Sequence, residues 1–282
     1  MKAAAWLGCG AVVAALGLWL AGLARWRHLT GQWRAKLERQ APRQRLPSLA
    51  AGTEALPLPV QRYLRRIFSG AGVQADVVRI RQEGLINLSE NGERWAPFSA
   101  EQVTLLGEPG FDWDARVRMA PGVTVFVRDS YAAGEGLTEA RVFGLWRVAG
   151  LSGGGAIAEG QLLRFLAEAP WYPMVLLPGG LVEWSEVDYR SARATLRHGE
   201  LHVSMVFTFA EDDSVMAVRA EARGRMRGGR LEPAPWQGRF SNYAYRNGVR
   251  VPLEGEVSWI LPSGPQPYWR GRIVEIRYGR RP

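Results

Sequence analysis

The chain has 282 residues, 47% hydrophobic and 22% charged, which is enough apolar material for a sizeable core and excludes a wholly disordered chain. The formal charge of +9 and a pI near 10.3 come mostly from arginine, whose planar fork of donors pairs with phosphates and carboxylates. A single cysteine, Cys9, excludes an intrachain disulfide framework and a cysteine-rich zinc site.

The first predicted element is apolar. Ala3 to Ala24 carries no charge, and as a helix it reaches about 33 Å against a bilayer core of about 30 Å. An uncleaved anchor over residues 1–24 is therefore expected, because the run exceeds a signal-peptide core and arginines follow at once; a cleaved signal ending near Gly22-Leu23-Ala24 is the competing reading. Residues 25–58 follow as a basic amphipathic segment and linker. Trp26, Leu29, Trp33 and Leu37 recur at helical spacing, with Arg25, Arg27, Arg34, Lys36 and Arg39 on other faces. That pattern fits a helix lying among anionic headgroups near residues 25–43, or a solvated continuation of the membrane helix. The basic flank favours a cytoplasmic C-terminal domain on a single-pass membrane protein, although translocation of a long domain overrides that rule.

Pro42, Pro47, Pro57 and Pro59 punctuate the linker, so a globular domain is expected over 59–282, opening with a short helix over 60–68. Period-2 alternation then recurs at 77–88, 111–119, 123–131, 138–148, 182–197 in two pieces, 201–209, 215–227, 236–245, 249–261 and 268–278. Asn247-Gly248 marks a hairpin. Between Phe111 and Met119, the residues Phe111, Trp113, Val117 and Met119 share one face and Asp112, Asp114, Arg116 and Arg118 the other, so one face meets core and one meets water. From Met216 to Met226, alternation points Ala220, Ala222 and Gly224 inward, leaving space that some body must fill.

The body available is residues 159–177, an oily segment with helical spacing. Gly153-Gly154-Gly155 precede it as a hinge, and Pro170, Pro173 and Pro178 break it into a helix ending near Glu168 and a short apolar turn over 174–177. The predicted fold is mainly β (α+β): a large curved antiparallel sheet or half-barrel of about ten strands in one meander, enclosing a short apolar helix and preceded by a transmembrane helix.

Leu163-Arg164-Phe165-Leu166-Ala167-Glu168, Trp171-Tyr172-Pro173, Leu176-Leu177-Pro178, Glu183-Trp184 and Asp188 form one half of a recognisable pattern. Phe207, Pro235-Trp236, Gly238-Arg239-Phe240, Tyr243, Gly255-Glu256-Val257, Trp259 and Tyr268-Trp269-Arg270-Gly271 form the other. Over roughly 97–278 the chain resembles an uncharacterised bacterial family known as a domain of unknown function, often preceded by a membrane segment. In outline the architecture is also similar to the half-barrels of lipoprotein carriers. The first likeness implies no activity; the second implies a periplasmic apolar-ligand carrier, against the cytoplasmic preference of the flanking charge.

The function expected from this shape is binding of an apolar molecule, a lipid or acyl chain, between the sheet and the 159–177 helix. Phe165, Leu166, Trp171, Trp184, Met205, Phe207 and Trp259 are the candidate apolar wall, with Arg164, Glu168 and Arg270 as polar groups. Two rivals stand beside it: a fully packed structural or interaction module, and a carboxylate enzyme using Glu168, Glu183 or Asp188. Arg164 and Glu168 form at least a surface i, i+4 pair. The enzyme reading is the weaker, since the three histidines, His28, His198 and His202, offer little for a triad or a three-histidine metal site, and no cofactor is implied. Aromatics among Arg239, Arg246, Arg250, Arg270 and Arg272 fit stacking on a ligand or pairing within the sheet, and without an RNA-binding consensus nucleic acid is not the expected partner.

Overall fold

The alternating segments become strands of a single antiparallel sheet. The computed structural model describes residues 2–40, 52–68, 75–89 and 92–280, apart from the side chains of residues 2–15 and 40. Residues 41–51 of the linker therefore lie outside the described residues, as do the side chains of most of the expected anchor, Cys9 among them. Among those described, no helix is long and apolar enough to cross a membrane.

The chain begins with α1 (Lys2–Gln40) and α2 (Leu58–Ile67), then β1 (Val77–Asn87), β2 (Trp95–Leu105), β3 (Gly110–Ala120), β4 (Val123–Ala132), β5 (Glu135–Val142) and β6 (Trp146–Gly153). After α3 (Gly155–Ala167) come 3₁₀ turns at Ala169–Trp171 and Pro173–Leu176, then β7 (Val182–Asp188), β8 (Ser191–His198), β9 (Leu201–Phe209), β10 (Val215–Arg227), β11 (Arg230–Arg246), β12 (Val249–Leu261) and β13 (Gly264–Gly279). The sheet has thirteen strands in the order β6-β5-β4-β3-β2-β1-β13-β12-β11-β10-β9-β8-β7.

Two meanders, rather than one, make this sheet, and they join where β1 pairs with β13. The segment containing α3 carries the chain from one outer edge to the other. Lying in the concavity, it touches β5 on one wing and β9 on the other. Leu162, Leu163, Phe165, Leu166 and Ala167 are all buried there, and full burial of each large apolar side chain contributes about 1.5–3 kcal/mol.

The sheet exceeds the expected ten strands for local reasons. Residues 138–148 divide at a turn in which Phe143 and Gly144 take positive φ, giving β5 and β6. β2 carries no clear hydropathy alternation because its buried set, Ala96, Phe98, Ala100, Gln102 and Thr104, is partly small and partly polar. The Asn247-Gly248 hairpin forms as expected, with φ of 49° and 83°.

A bulge between Ala220 and Arg223 shifts the register of β10 against β11. Ala220 opposes the buried Trp236, whereas beyond the bulge Arg223 opposes Ala234, on the same face as Trp236. The inward residues past Ala220 are thus Arg223 and Arg225, not Ala222 and Gly224.

The outer face of β3 also departs from expectation. α1 is one helix of 39 residues, and its amphipathic stripe lies on the sheet. Trp26 and Leu37 are 1% and 2% exposed, so these two are covered by protein rather than by headgroups. Trp26 donates its indole N–H to Asp114 at 2.9 Å. Beneath it, Arg128 lies 3.0 Å from Asp112 and both side chains are fully buried. The predicted water face of β3 is therefore roofed at this point. α2 packs elsewhere through Val60, Tyr63, Leu64 and Ile67, with Tyr63 against Phe209 and Arg62 bonded to Asp213 at 2.8 Å.

Candidate functional site

Gln102, Trp113, Asp129 and Thr138 stand directly opposite one another across β2, β3, β4 and β5, forming one row on the inner face. α3 presents Gln161 and Arg164 to that row, and Glu168 follows at its C-terminus; their i, i+3, i+7 spacing makes them a single helical stripe. The two rows lock together. Gln161 donates to Thr138 Oγ1 at 2.8 Å, Arg164 donates to Asp129 at 2.6 Å, and Gln102 donates to Glu168 at 2.6 Å. Arg164 also donates to Glu168 at 2.7 Å, and its guanidinium lies 4.8 Å from the centre of the Trp113 ring. Burial works against the charge of Arg164, but Glu168 and Asp129 outweigh it and raise its pKa. The i, i+4 pair is thus a buried polar site, and each carboxylate is committed to the arginine.

Beside this network lies a cavity of about 230 Å³, bounded by Arg164, Glu168, Trp171, Trp113 and, from the second meander, Trp236, Phe240, Trp269 and Arg223. It exceeds the ~150 Å³ cavity that holds one benzene ring and falls below the roughly 300–1,000 Å³ of sites for drug-sized ligands. Two acceptors of the polar row, Gln102 Oε1 and Asp129 Oδ1, are buried without a hydrogen-bond partner. On the facing wall, Arg223 sits 4.8 Å above the Trp236 ring, and its only described hydrogen bond runs to the Tyr268 hydroxyl at 3.4 Å.

Gly255 lines the cavity, and the tryptophans beside it depend on missing side chains. Gly84, Gly271 and Gly255 are in register across β1, β13 and β12, opposite Phe240 on β11. A Cβ on Gly271 would sit 2.3 Å from the Trp269 ring, and one on Gly255 would be 3.5 Å from Trp171 and 3.4 Å from Trp269. The two indoles therefore lie over bare backbone.

Of the sequence candidates, Arg164, Glu168 and Trp171 line the cavity. Phe165, Leu166, Met205 and Phe207 are sealed in the core at 1% exposure or less. Trp184 packs edge-on against Phe207 and donates to Leu176 O. Trp259 stacks on Tyr268 at 5.6 Å, one layer from the cavity. Arg270 points to the opposite face, where it bonds Glu256 at 2.7 Å and covers Trp95. Glu183 and Asp188 are exposed and away from the cavity, Glu183 lying 3.8 Å from Arg197 and Asp188 accepting from Arg190 N–H at 2.8 Å.

Sequence reasoning missed Gln102, Asp129, Trp113, Trp236, Phe240, Trp269 and Arg223. An inward glutamine in a strand, and an aspartate in phase with Val125 and Val127, were the available signals for two of them. Elsewhere, His198 joins Tyr131 at 2.6 Å and Glu108 at 2.7 Å, tying the β8–β9 turn to the other wing. Among the described residues no group of three His, Cys, Asp or Glu side chains is placed to hold a metal ion.

Residues 54–278 match the model of a family of unknown function, DUF6920. No curated protein matches the sequence. Among solved structures, a LolA superfamily protein from Nitrosomonas europaea is similar at 12% identity and a TM-score of 0.41, over 83% of this chain and 96% of that one.

Proposed function

We propose, for a chain that belongs to the DUF6920 family of unknown function, that it is a membrane-anchored binding protein for a lipid or acyl chain, held by residues 1–24 in the bacterial inner membrane. The supporting observation is the cavity itself: α3 fills most of the concavity but leaves about 230 Å³ walled by four tryptophans, Trp113, Trp171, Trp236 and Trp269. An apolar tail gains by burial against these rings. The polar end meets Arg223, a guanidinium on the wall with no carboxylate partner among the described residues. Coordinated acid-base chemistry has less support, because Glu168 and Asp129 are both ion-paired to Arg164.

Native mass spectrometry of protein purified without added lipid is expected to show an apolar adduct, and brominated fatty acids are expected to quench tryptophan emission. Gly255→Leu places a side chain between Trp171 and Trp269 and should abolish both signals. Arg223→Gln should weaken a fatty acid more than the corresponding fatty alcohol. A wild-type protein with neither adduct nor quenching would overturn the proposal in favour of a packed module, for which the sealing of Phe165, Leu166, Met205 and Phe207 already speaks.

A further inference from the structure

The β5–β6 turn meets α1 at the C-terminal end of the helix's uncharged run. A Cβ on Gly22 would lie 2.1 Å from Phe143 O, and one on Gly144 would lie 2.7 Å from Gly22 O, so backbone meets backbone and a side chain at either position would part them. Helical rise from Ala3 to Gly22 is about 29 Å, close to the ~30 Å hydrocarbon thickness of a bilayer. If residues 1–24 span the membrane, the turn therefore stands where the hydrocarbon ends.

The side chains there suit that depth. Trp146 and Val148 are 55% and 60% exposed, and Trp19 on the adjoining helix is 48% exposed. Phe143 packs edge-on against Trp146. Tryptophan is the residue that settles at headgroup level, with its ring in the acyl boundary and its N–H in water. A groove of about 740 Å³ runs between α1 and the strands beside it, with Trp19, Leu23, Phe126 and, from the β5–β6 turn, Phe143 in its walls together with Arg116, Arg118, Arg272 and the carboxylate of Glu83. The Arg116 guanidinium is held 4.1 Å from the Phe126 ring centre and paired to Asp114. Arg118 is exposed and has no ion-pair partner among the described residues. Arg25 and Arg27 follow the apolar run on the same helix. Apolar rings backed by arginines match the chemistry of an anionic leaflet, whose negative surface potential attracts basic side chains.

We infer that the β5–β6 hairpin is a second membrane contact: Phe143, Trp146 and Val148 enter the interface of an anionic leaflet, and Arg118 at the groove binds a lipid phosphate. This contact, with the docked helix, fixes the tilt of the domain on the bilayer. It rests on the anchor reading above and is independent of what the inner cavity binds.

The test uses the full chain with Cys9→Ser, carrying a single polarity-sensitive fluorophore at Trp146→Cys, Leu18→Cys or Tyr189→Cys. Each protein is placed in nanodiscs of phosphatidylglycerol and phosphatidylethanolamine containing headgroup-proximal spin-labelled lipid. Tyr189, 69% exposed in the β7–β8 turn, is the control for a position away from the membrane. Labels at 18 and 146 are expected to be blue-shifted and quenched while the label at 189 is neither, and Arg118→Glu should reduce quenching at 146 in anionic discs but not in neutral ones. Quenching at 18 without quenching at 146 overturns the inference and leaves the anchor standing. Loss of both removes the anchor and the inference together. Quenching at 146 that Arg118→Glu leaves unchanged overturns the assignment of the phosphate site.

Discussion

β3 and β4 carry two charged clusters back to back, and the contrast between them is instructive. Asp112 and Arg128 face outward under α1, while their chain neighbours Trp113 and Asp129 face inward under α3. Both clusters hold arginine between carboxylates, and both stack the guanidinium on tryptophan, Arg128 on Trp26 and Arg164 on Trp113. The outer pair is sealed: both side chains have zero exposure, and burial raises the pKa of Asp112 despite the nearby Arg128. Both clusters keep polar atoms without a hydrogen-bond partner, Arg128 Nε and Nη1 in the outer one and Gln102 Oε1 and Asp129 Oδ1 in the inner one, but only the inner cluster borders the cavity. A charge pair closed on every side is a fastening, whereas one that fronts an open space is available to a ligand.

That comparison breaks most decisively at Arg128. Arg128→Ala leaves Asp112 buried without its cation and is expected to cost about 3–5 kcal/mol in urea unfolding of the detergent-solubilised chain. A loss below ~1 kcal/mol would mean that water reaches the pair and that α1 does not seal it. At the inner cluster, Glu168→Gln should cost less, about 1.5–3 kcal/mol, because Arg164 keeps Asp129 and the cavity admits solvent. Equal losses in the two variants would erase the distinction. Gly271→Ala drives a methyl into the Trp269 ring and is expected to lower stability by about 1–3 kcal/mol through overpacking, with a shift in tryptophan emission that reports movement of the cavity wall.

The smallest effect belongs to an acid in neither cluster. For Asp212, burial opposes ionisation, but hydrogen bonds from Ser214 and Arg250 outweigh it and lower the pKa to about 2. Its folded pKa lies below the unfolded value, so its contribution is present above about pH 4 and is lost as pH falls through about 2. Because the side chain is 43% exposed, screening holds that contribution under ~1 kcal/mol. Comparing the acid unfolding of Asp212→Asn with that of the wild type checks both sign and size.

Much of the inner architecture was legible along the chain. The oily segment interrupted by Pro170 and Pro173 became α3 and its 3₁₀ turns, Asn247-Gly248 became a hairpin, and Arg164 with Glu168 stayed at the centre of the site. β2 was not legible, because Gln102 and Thr104 face inward and erase the alternation that marks a buried strand. Arg223 was assigned to the wrong face, because a single bulge reverses every side chain beyond it. α1 read as lipid-facing because Trp26, Trp33 and Leu37 make the same stripe whether the apolar partner is membrane or sheet.

By itself the sequence determined what depends on neighbours along the chain: strand periods, turn chemistry, the helix and its stop, and the uncharged N-terminal run. Tertiary structure alone decided what depends on strands distant in sequence. It brought Asp129 and Glu168 to one arginine with Gln102 beside them, aligned Gly271 and Gly255 beneath two indoles, and left space beside α3. Cross-strand register controls all three, and register is fixed by the packing of whole faces, which periodicity within one strand does not specify.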